Sequence, residues 1–235
     1  MKNWDLGRLF IAAMMSLVML PLCAAQEDSV PAPEDAKAIV HTQFDALFTS
    51  VTHQLTNNQE MYLSNPVAYH AFVTSTVVNL WDSSSTTRAL VGKKHYIKLS
   101  DQQRRSLIDA LDETFIRYAF EGLKSFGGQV FRVTDVVVNE KQGMGWVQVL
   151  MESPIIPDIN LDILIKRTDT NAWQAVDIRV KGITYVAIKK YKYREMLEDQ
   201  GFDALVDNLT HQNTYFFKAV CAGADNSALV GSAPC

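Results

Sequence analysis

The chain has 235 residues, with 22 Lys plus Arg against 26 Asp plus Glu, a formal net charge of −4, 48% hydrophobic residues and three cysteines. This is an ordinary globular composition on a chain long enough to bury its own core, which excludes pervasive disorder and removes the need for metal or disulfide staples. A mildly acidic chain without a basic block is not built to coat phosphate backbones, so nucleic-acid binding is set aside.

At the N-terminus, Lys2 and Arg8 precede an apolar run over 9–20, and Cys23, Ala24 and Ala25 then supply small residues of the kind a signal peptidase reads. Residues 1–25 are therefore expected to be a cleaved export signal, which predicts a periplasmic protein. An uncleaved anchor fits less well, because the apolar run reaches only about 18 Å as helix against a hydrocarbon core of ~30 Å. Leu22 is a poor neighbour for a lipidated Cys23. Cleavage leaves Cys221 and Cys235 in a compartment where disulfides persist, and a disulfide loop is expected in a tail over 216–235; two free thiols are the competing reading.

Residues 26–34 are Pro-rich and acidic and read as a disordered leader. A domain is expected over 35–215, opening with a helix over 35–58 in which Ile39, Val40, Phe44, Leu47, Phe48, Val51 and Leu55 recur at helical spacing. Asn65-Pro66 opens a second helix, carrying Phe72, Val73, Val77 and Leu80 towards Trp81. Residues 83–87 read as a break, followed by a short helix over 87–91 that Gly92 stops. Ser100 and Gln103 have the spacing of a capping box. The helix they open runs to about Phe126 on a broad stripe of Leu107, Leu111, Phe115, Tyr118, Gly122 and Phe126.

Gly127-Gly128 end that helix and the periodicity changes. Four strands are predicted over 129–139, 145–152, 159–167 and 173–180, joined by turns short enough for an antiparallel meander. In the third, Ile159, Leu161, Ile163 and Ile165 alternate with Asn160, Asp162, Leu164 and Lys166, so one sheet face is apolar and the other largely wet. Gly182 ends the last strand, and two closing helices are expected over 183–199 and 202–212. The fold class predicted is α+β, a four-stranded antiparallel sheet covered by a helical layer.

The residues offer little to catalysis. His41, His53, His70, His95 and His211 form no His-x-x-x-His or His-x-His pair, no Gly-x-Ser-x-Gly elbow is present, and no glycine-rich phosphate cradle follows a strand. No catalytic residue, metal ligand or cofactor is assigned. Lys189, Lys190, Lys192 and Arg194, interleaved with Tyr191 and Tyr193, make a basic run that reads as a solvated helix face or as a surface for phosphate headgroups or an acidic partner. Asp177 lies on the strand face opposite Val176 and Ile178 and reads as a structural hydrogen-bond acceptor.

Three stretches together resemble the MlaC or toluene-tolerance family of periplasmic phospholipid shuttles. They are Val91-Gly92, His95-Tyr96 and Leu99-Ser100-Asp101-Gln102-Gln103-Arg104; then Tyr118-Ala119 and Phe126-Gly127-Gly128; then Trp173-Gln174-Ala175-Val176-Asp177-Ile178, Gly182-Ile183 and Gly201-Phe202-Asp203-Ala204-Leu205. Lys181, Thr184 and Leu80-Trp81-Asp82 depart from the family pattern. The resemblance implies a deep apolar pocket between sheet and helices that holds the acyl chains of a phospholipid cargo while the headgroup stays outside. It also implies partners: an inner-membrane ABC transporter complex with its lipid-binding ring protein, and an outer-membrane lipoprotein-porin complex, served by a monomeric carrier. Candidate lining residues are Val147, Val149, Met151, Leu161, Ile163, Ile165, Val176 and Ile178 from the strands, with Leu111, Phe115, Tyr118, Tyr185 and Ile188 from the helices. Each also has a plain core reading, because apolar periodicity marks a buried face without saying what lies opposite. The alternatives are a carrier of another lipid such as a hopanoid, a small-molecule isomerase or hydrolase on a comparable fold, and an adaptor for other envelope proteins.

Overall fold

In the computed structural model, which describes residues 33–223 and 233–235, the first amphipathic pattern becomes one long helix, α1 (Pro33–Ser64). The expected export signal and residues 26–32 of the expected leader lie outside the described residues. The helix takes up the last two residues of that expected leader, Pro33 and Glu34, and continues past Asn58, where it was expected to end. Nothing between Asn58 and Ser64 breaks a helix, and Tyr62 carries the buried stripe two turns beyond Leu55. The stop comes at Asn65, whose position before Pro66 disfavours helical geometry.

Asn65 then caps α2 (Pro66–Thr76), its side chain accepting from the Ala68 N–H. A 3₁₀ turn over Val78–Leu80 leads to Trp81, which bridges to Ala175 at the sheet edge. The expected break over 83–87 is instead the first half of a helix, α3 (Ser83–Val91). The Asp82 carboxylate accepts the Ser85 N–H at 2.8 Å, so the Ser/Thr-rich stretch is a helix start. A single turn, α4 (Lys93–Tyr96), precedes α5 (Asp101–Lys124), where both hydrogen bonds of the Ser100/Gln103 capping box are present.

The sheet contains β1 (Val130–Asn139), β2 (Met144–Glu152), β3 (Ile159–Arg167) and β4 (Trp173–Val180), antiparallel in sequence order, with a short fifth strand, β5 (Ile183–Thr184). Five strands replace the expected four because Lys181 and Gly182 both take positive φ (50° and 83°), the backbone of a two-residue hairpin, which returns Ile183 to pair with Val180. Helix α6 (Tyr185–Asp199) consequently starts two residues later than expected, capped by Thr184. Helix α7 (Gly201–Ala222) outruns the expected end at 212, since Asn213 and Phe217 continue its buried stripe, and it passes residue 215, where the tail was expected to begin. Cys221, at its last turn, is bridged to Cys235.

Register aligns the apolar residues in rows. Val136 faces Val147, Val147 faces Ile163, and Ile163 faces Ile178 across four strands. The N-terminal half of α1 covers this face, packing Ala36, Val40 and Phe44 on Val136, Val147, Ile163, Ile165 and Trp173. Its C-terminal half leaves the sheet and joins α2, α5 and α7, where Leu55, Tyr62, Tyr69, Phe120 and Phe217 form a second cluster. A third cluster ties α3, α5, α6 and α7 through Leu90, Leu107, Leu111, Tyr193, Leu205 and Leu209. Between Leu164 and Ile165 the register slips, leaving Val176 as an extra residue in β4. The Thr86 hydroxyl of α3 donates to the Val176 carbonyl at 2.6 Å, so the bulge is also where the helical layer is fastened to the sheet.

Candidate functional site

The helical layer meets the sheet along a seam of aromatic rings. Trp81 packs on the sheet cluster with one side and meets Phe115 of α5 with the other, ring centroids 5.3 Å apart. Phe115 meets Tyr185 at 5.3 Å, and Tyr185 meets Tyr118 at 6.2 Å. These rings are half-buried, not sealed into a core cluster. Edge-to-face and tilted contacts of this kind hold without close interlock, because each ring presents its positive edge to the next ring's negative face.

Polarity rises along the seam. Tyr185, Lys189 and Tyr193 stand four residues apart on α6 and therefore share one face, and that face meets Arg117 and Tyr118 of α5. The Tyr185 and Tyr193 hydroxyls are 3.4 Å apart. Burial raises the pKa of both above the ordinary phenol value, far above it for Tyr185, where coupling to Tyr193 adds to burial, so both remain neutral hydroxyls. The Arg117 guanidinium carbon lies 5.0 Å from the Tyr118 ring centroid and the Lys189 ammonium 5.7 Å from it.

The expected lining residues divide into three groups. Val147, Val149, Ile163 and Ile165 are buried in the cluster that α1 covers, and Leu111 is buried among α3, α6 and α7. Val176 is buried at the bulge. Leu161 and Ile178 pack at the margin of the sheet cluster, half-buried like Met151, while Phe115, Tyr118 and Tyr185 form the seam itself. Ile188 departs from the expectation: it is 61% exposed, because the inward row of α6 runs through 185, 189 and 193 and turns 188 towards solvent.

Trp81, Arg117 and Tyr193 belong to the seam without having been singled out for it. Arg117 carried a signal, a cation directly beside Tyr118 of the broad apolar stripe of α5; Trp81 carried none, since only the pairing with Ala175 places it. The basic run splits by role. Arg194 donates to the Leu90 and Ala89 carbonyls at 3.1 and 2.9 Å and closes the C-terminus of α3. Lys190, Tyr191 and Lys192 are exposed, and Lys189 is half-buried over Tyr118. Asp177 is buried and accepts the Ile178 and Val186 N–H groups at 2.9 and 3.2 Å, tying β4 to the start of α6. Burial raises its carboxyl above the ordinary value despite those bonds.

A concavity of about 920 Å³ opens elsewhere, between α5 and α7 beside the Cys221–Cys235 bridge, with Asp109, Glu113, Asn213, Phe217 and Lys218 in its wall. Among the described residues no group of three or more His, Cys, Asp or Glu could hold a metal ion, and no helix is long and apolar enough to cross a membrane. His70 and His95 each face a single carboxylate, Glu113 at 3.1 Å and Glu198 at 2.9 Å.

Comparison with known proteins follows the same lines. A solved structure of the phospholipid-binding protein from Ralstonia solanacearum, in complex with a phospholipid, matches with a TM-score of 0.65 at 17% identity, over 77% of this chain and 98% of that one. At that identity the likeness is one of fold. No curated protein matches the sequence significantly. The family model described as MlaC protein matches residues 45–211, from the middle of α1 into α7, and this chain therefore belongs to the MlaC family.

Proposed function

We propose that this protein is a periplasmic phospholipid carrier that moves lipid between the inner and outer membranes. The observation that carries the reading is the MlaC family match over 45–211 on a fold shared with a phospholipid-bound protein. The seam supports it in chemical terms, running from an apolar sheet margin through aromatic rings to tyrosine hydroxyls and two cations. That is the polarity order of a lipid from its chains to its headgroup.

The energetics set what such a carrier must do. Two acyl chains with about 28 methylenes represent about 22 kcal/mol of exposure to water, at ~0.8 kcal/mol per methylene. The rings of the seam must separate to admit them, and the protein must offer an apolar surface that replaces most of that burial. A carrier that holds lipid so firmly releases it only when a partner binds the emptied form better. The family suggests such partners on both sides: an inner-membrane ABC transporter complex with its lipid-binding ring protein, and an outer-membrane lipoprotein-porin complex.

The test is direct. Full-length chain is expressed with its N-terminal segment, recovered from the periplasm without detergent, and extracted with organic solvent for mass spectrometry. One diacyl phospholipid is expected per chain, together with transfer of a fluorescent phospholipid between vesicles. Protein that yields no diacyl lipid and transfers none would end this reading.

A further inference from the structure

We propose that Arg117 and Lys189, together with the hydroxyls of Tyr118, Tyr185 and Tyr193, form a phosphate-ester clamp at the polar end of the aromatic seam. This rests on the reading of the protein as a phospholipid carrier and assigns the headgroup end of the same cargo.

The first support is an electrostatic vacancy. Arg104, Arg132, Arg167, Arg179 and Lys166 each sit beside a carboxylate, and Arg194 is taken up by two carbonyls. Among the described residues neither Arg117 nor Lys189 has a carboxylate partner, and the buried Nε of Arg117 has no hydrogen-bond partner at all. Buried donors of folded proteins are satisfied as a rule. Here two cations instead approach a single ring, Tyr118, whose quadrupole attracts both but neutralises neither. Each cation therefore lies over the ring without an anion, and a ligand anion that reaches them supplies the missing charge partner.

The second support is the donor set. Guanidinium presents a planar fork that matches two phosphate oxygens, and an ammonium adds a compact point charge. The Tyr185 and Tyr193 hydroxyls meet at 3.4 Å beside these cations, and neutral phenols supply further donors to an oxyanion. A carboxylate or sulfate would satisfy the charge alone. What selects a phosphate ester of an amphiphile is the third support, the run of Tyr185, Phe115 and Trp81 that continues from the cations to the apolar sheet margin.

The experiment uses delipidated full chain and three probes in calorimetric titration: dihexanoyl phosphatidylglycerol, dihexanoylglycerol with the same chains but no phosphate, and inorganic phosphate. Arg117→Gln and Lys189→Gln are each expected to weaken the phosphatidylglycerol about tenfold or more, the ordinary value of a hydrogen bond to a charged group, and the pair to weaken it further. Arg117→Lys should recover part of the loss. Dihexanoylglycerol should bind all variants equally, and Lys190→Gln, at an exposed position on the same helix, should behave as wild type. Equal phosphatidylglycerol affinity in wild type and the double variant would overturn the clamp while leaving the carrier reading intact. So would a loss that is equal for both lipids, which would mark the two positions as packing residues. Binding of inorganic phosphate alone, lost in the double variant, would keep the clamp as a free-phosphate site and remove the lipid. A wild-type chain that binds none of the three would end both readings. If the double variant does not fold, the contrast between Arg117→Gln and Arg117→Lys decides alone.

Discussion

Thr86 shows how much of this molecule depends on single side chains. With 1% of its surface exposed, its hydroxyl accepts the Trp81 indole N–H at 2.8 Å and donates to the carbonyl freed by the β4 bulge at 2.6 Å. Thr86→Val keeps the shape and strands both partners. At ~1–3 kcal/mol for each buried orphan, a loss of about 2–6 kcal/mol is expected in urea unfolding of the delipidated protein, and an unchanged midpoint would show that Thr86 does not fasten the layers. Asp82, four residues earlier, controls an acid limb. Burial by itself would raise its carboxyl, but hydrogen bonds from Ser85 and the Lys166 ammonium outweigh burial and hold it below the ordinary 3.8. A depressed folded pKa contributes stability that is complete above the unfolded value and is lost as pH falls through the folded one. Asp82→Asn should therefore flatten the stability curve below about pH 4 and lower it at neutral pH; equal acid limbs for variant and wild type would contradict this. Residues of this kind were only partly legible. Asp177 reads as a hydrogen-bond acceptor from its place on the strand, whereas nothing about Thr86 in the sequence announces that a β-bulge will present it with a carbonyl.

At the scale of elements, local chemistry sets most boundaries. Ser100 and Gln103 close the start of α5 reciprocally, with the Gln103 N–H donating to Ser100 Oγ at 3.2 Å and the Ser100 N–H to Gln103 Oε1 at 2.9 Å. Ser100→Ala should cost about 1 kcal/mol. The Gln103→Ala change should add less in that background than alone, because the two bonds share one cap, and strict additivity in a double-mutant cycle would contradict a shared cap. Gly92 joins α3 to α4 at φ 84° and ψ 147°, a conformation hostile to side chains. A Cβ there would also stand 3.2 Å from Nε of Arg194, which holds the end of α3. Gly92→Ala is expected to cost about 2 kcal/mol or more, combining backbone strain with displacement of the guanidinium, and thermal melting would read it. These starts and stops were legible because caps, glycines and prolines act within a few residues. The helix start at Ser83 was not, since short polar side chains serve both caps and breaks. The hidden fact was that the Asp82 carboxylate turns towards the following amides.

At the scale of the whole molecule, α1 is the structural bridge. As 32 residues of helix it reaches about 48 Å, so its first half covers the sheet while its second half packs on α2, α5 and α7. The aromatic seam lies where these two bodies meet, and a guest that enters it should bind the folded chain alone. Phospholipid at about a hundred times its dissociation constant would add roughly 2.7 kcal/mol, which for a chain of this size corresponds to a rise in Tm of about 5–10 °C. Equal Tm for lipid-loaded and delipidated protein would contradict binding in the seam. By itself the sequence determined the α+β class, the meander, the apolar sheet face and the capped start of α5, because periodicity, caps and turn residues are local properties of the chain. It also determined that Val147, Ile163 and Ile165 would be buried. Only the tertiary structure decided what they are buried against: that α1 closes over them, that Ile188 turns outward, and that Trp81, Phe115, Tyr185 and Tyr118 meet in one seam with Arg117 and Lys189 beside it. Burial is a property of one face, whereas a site needs the facing partner, and that partner comes from segments distant in the chain whose approach no local pattern records.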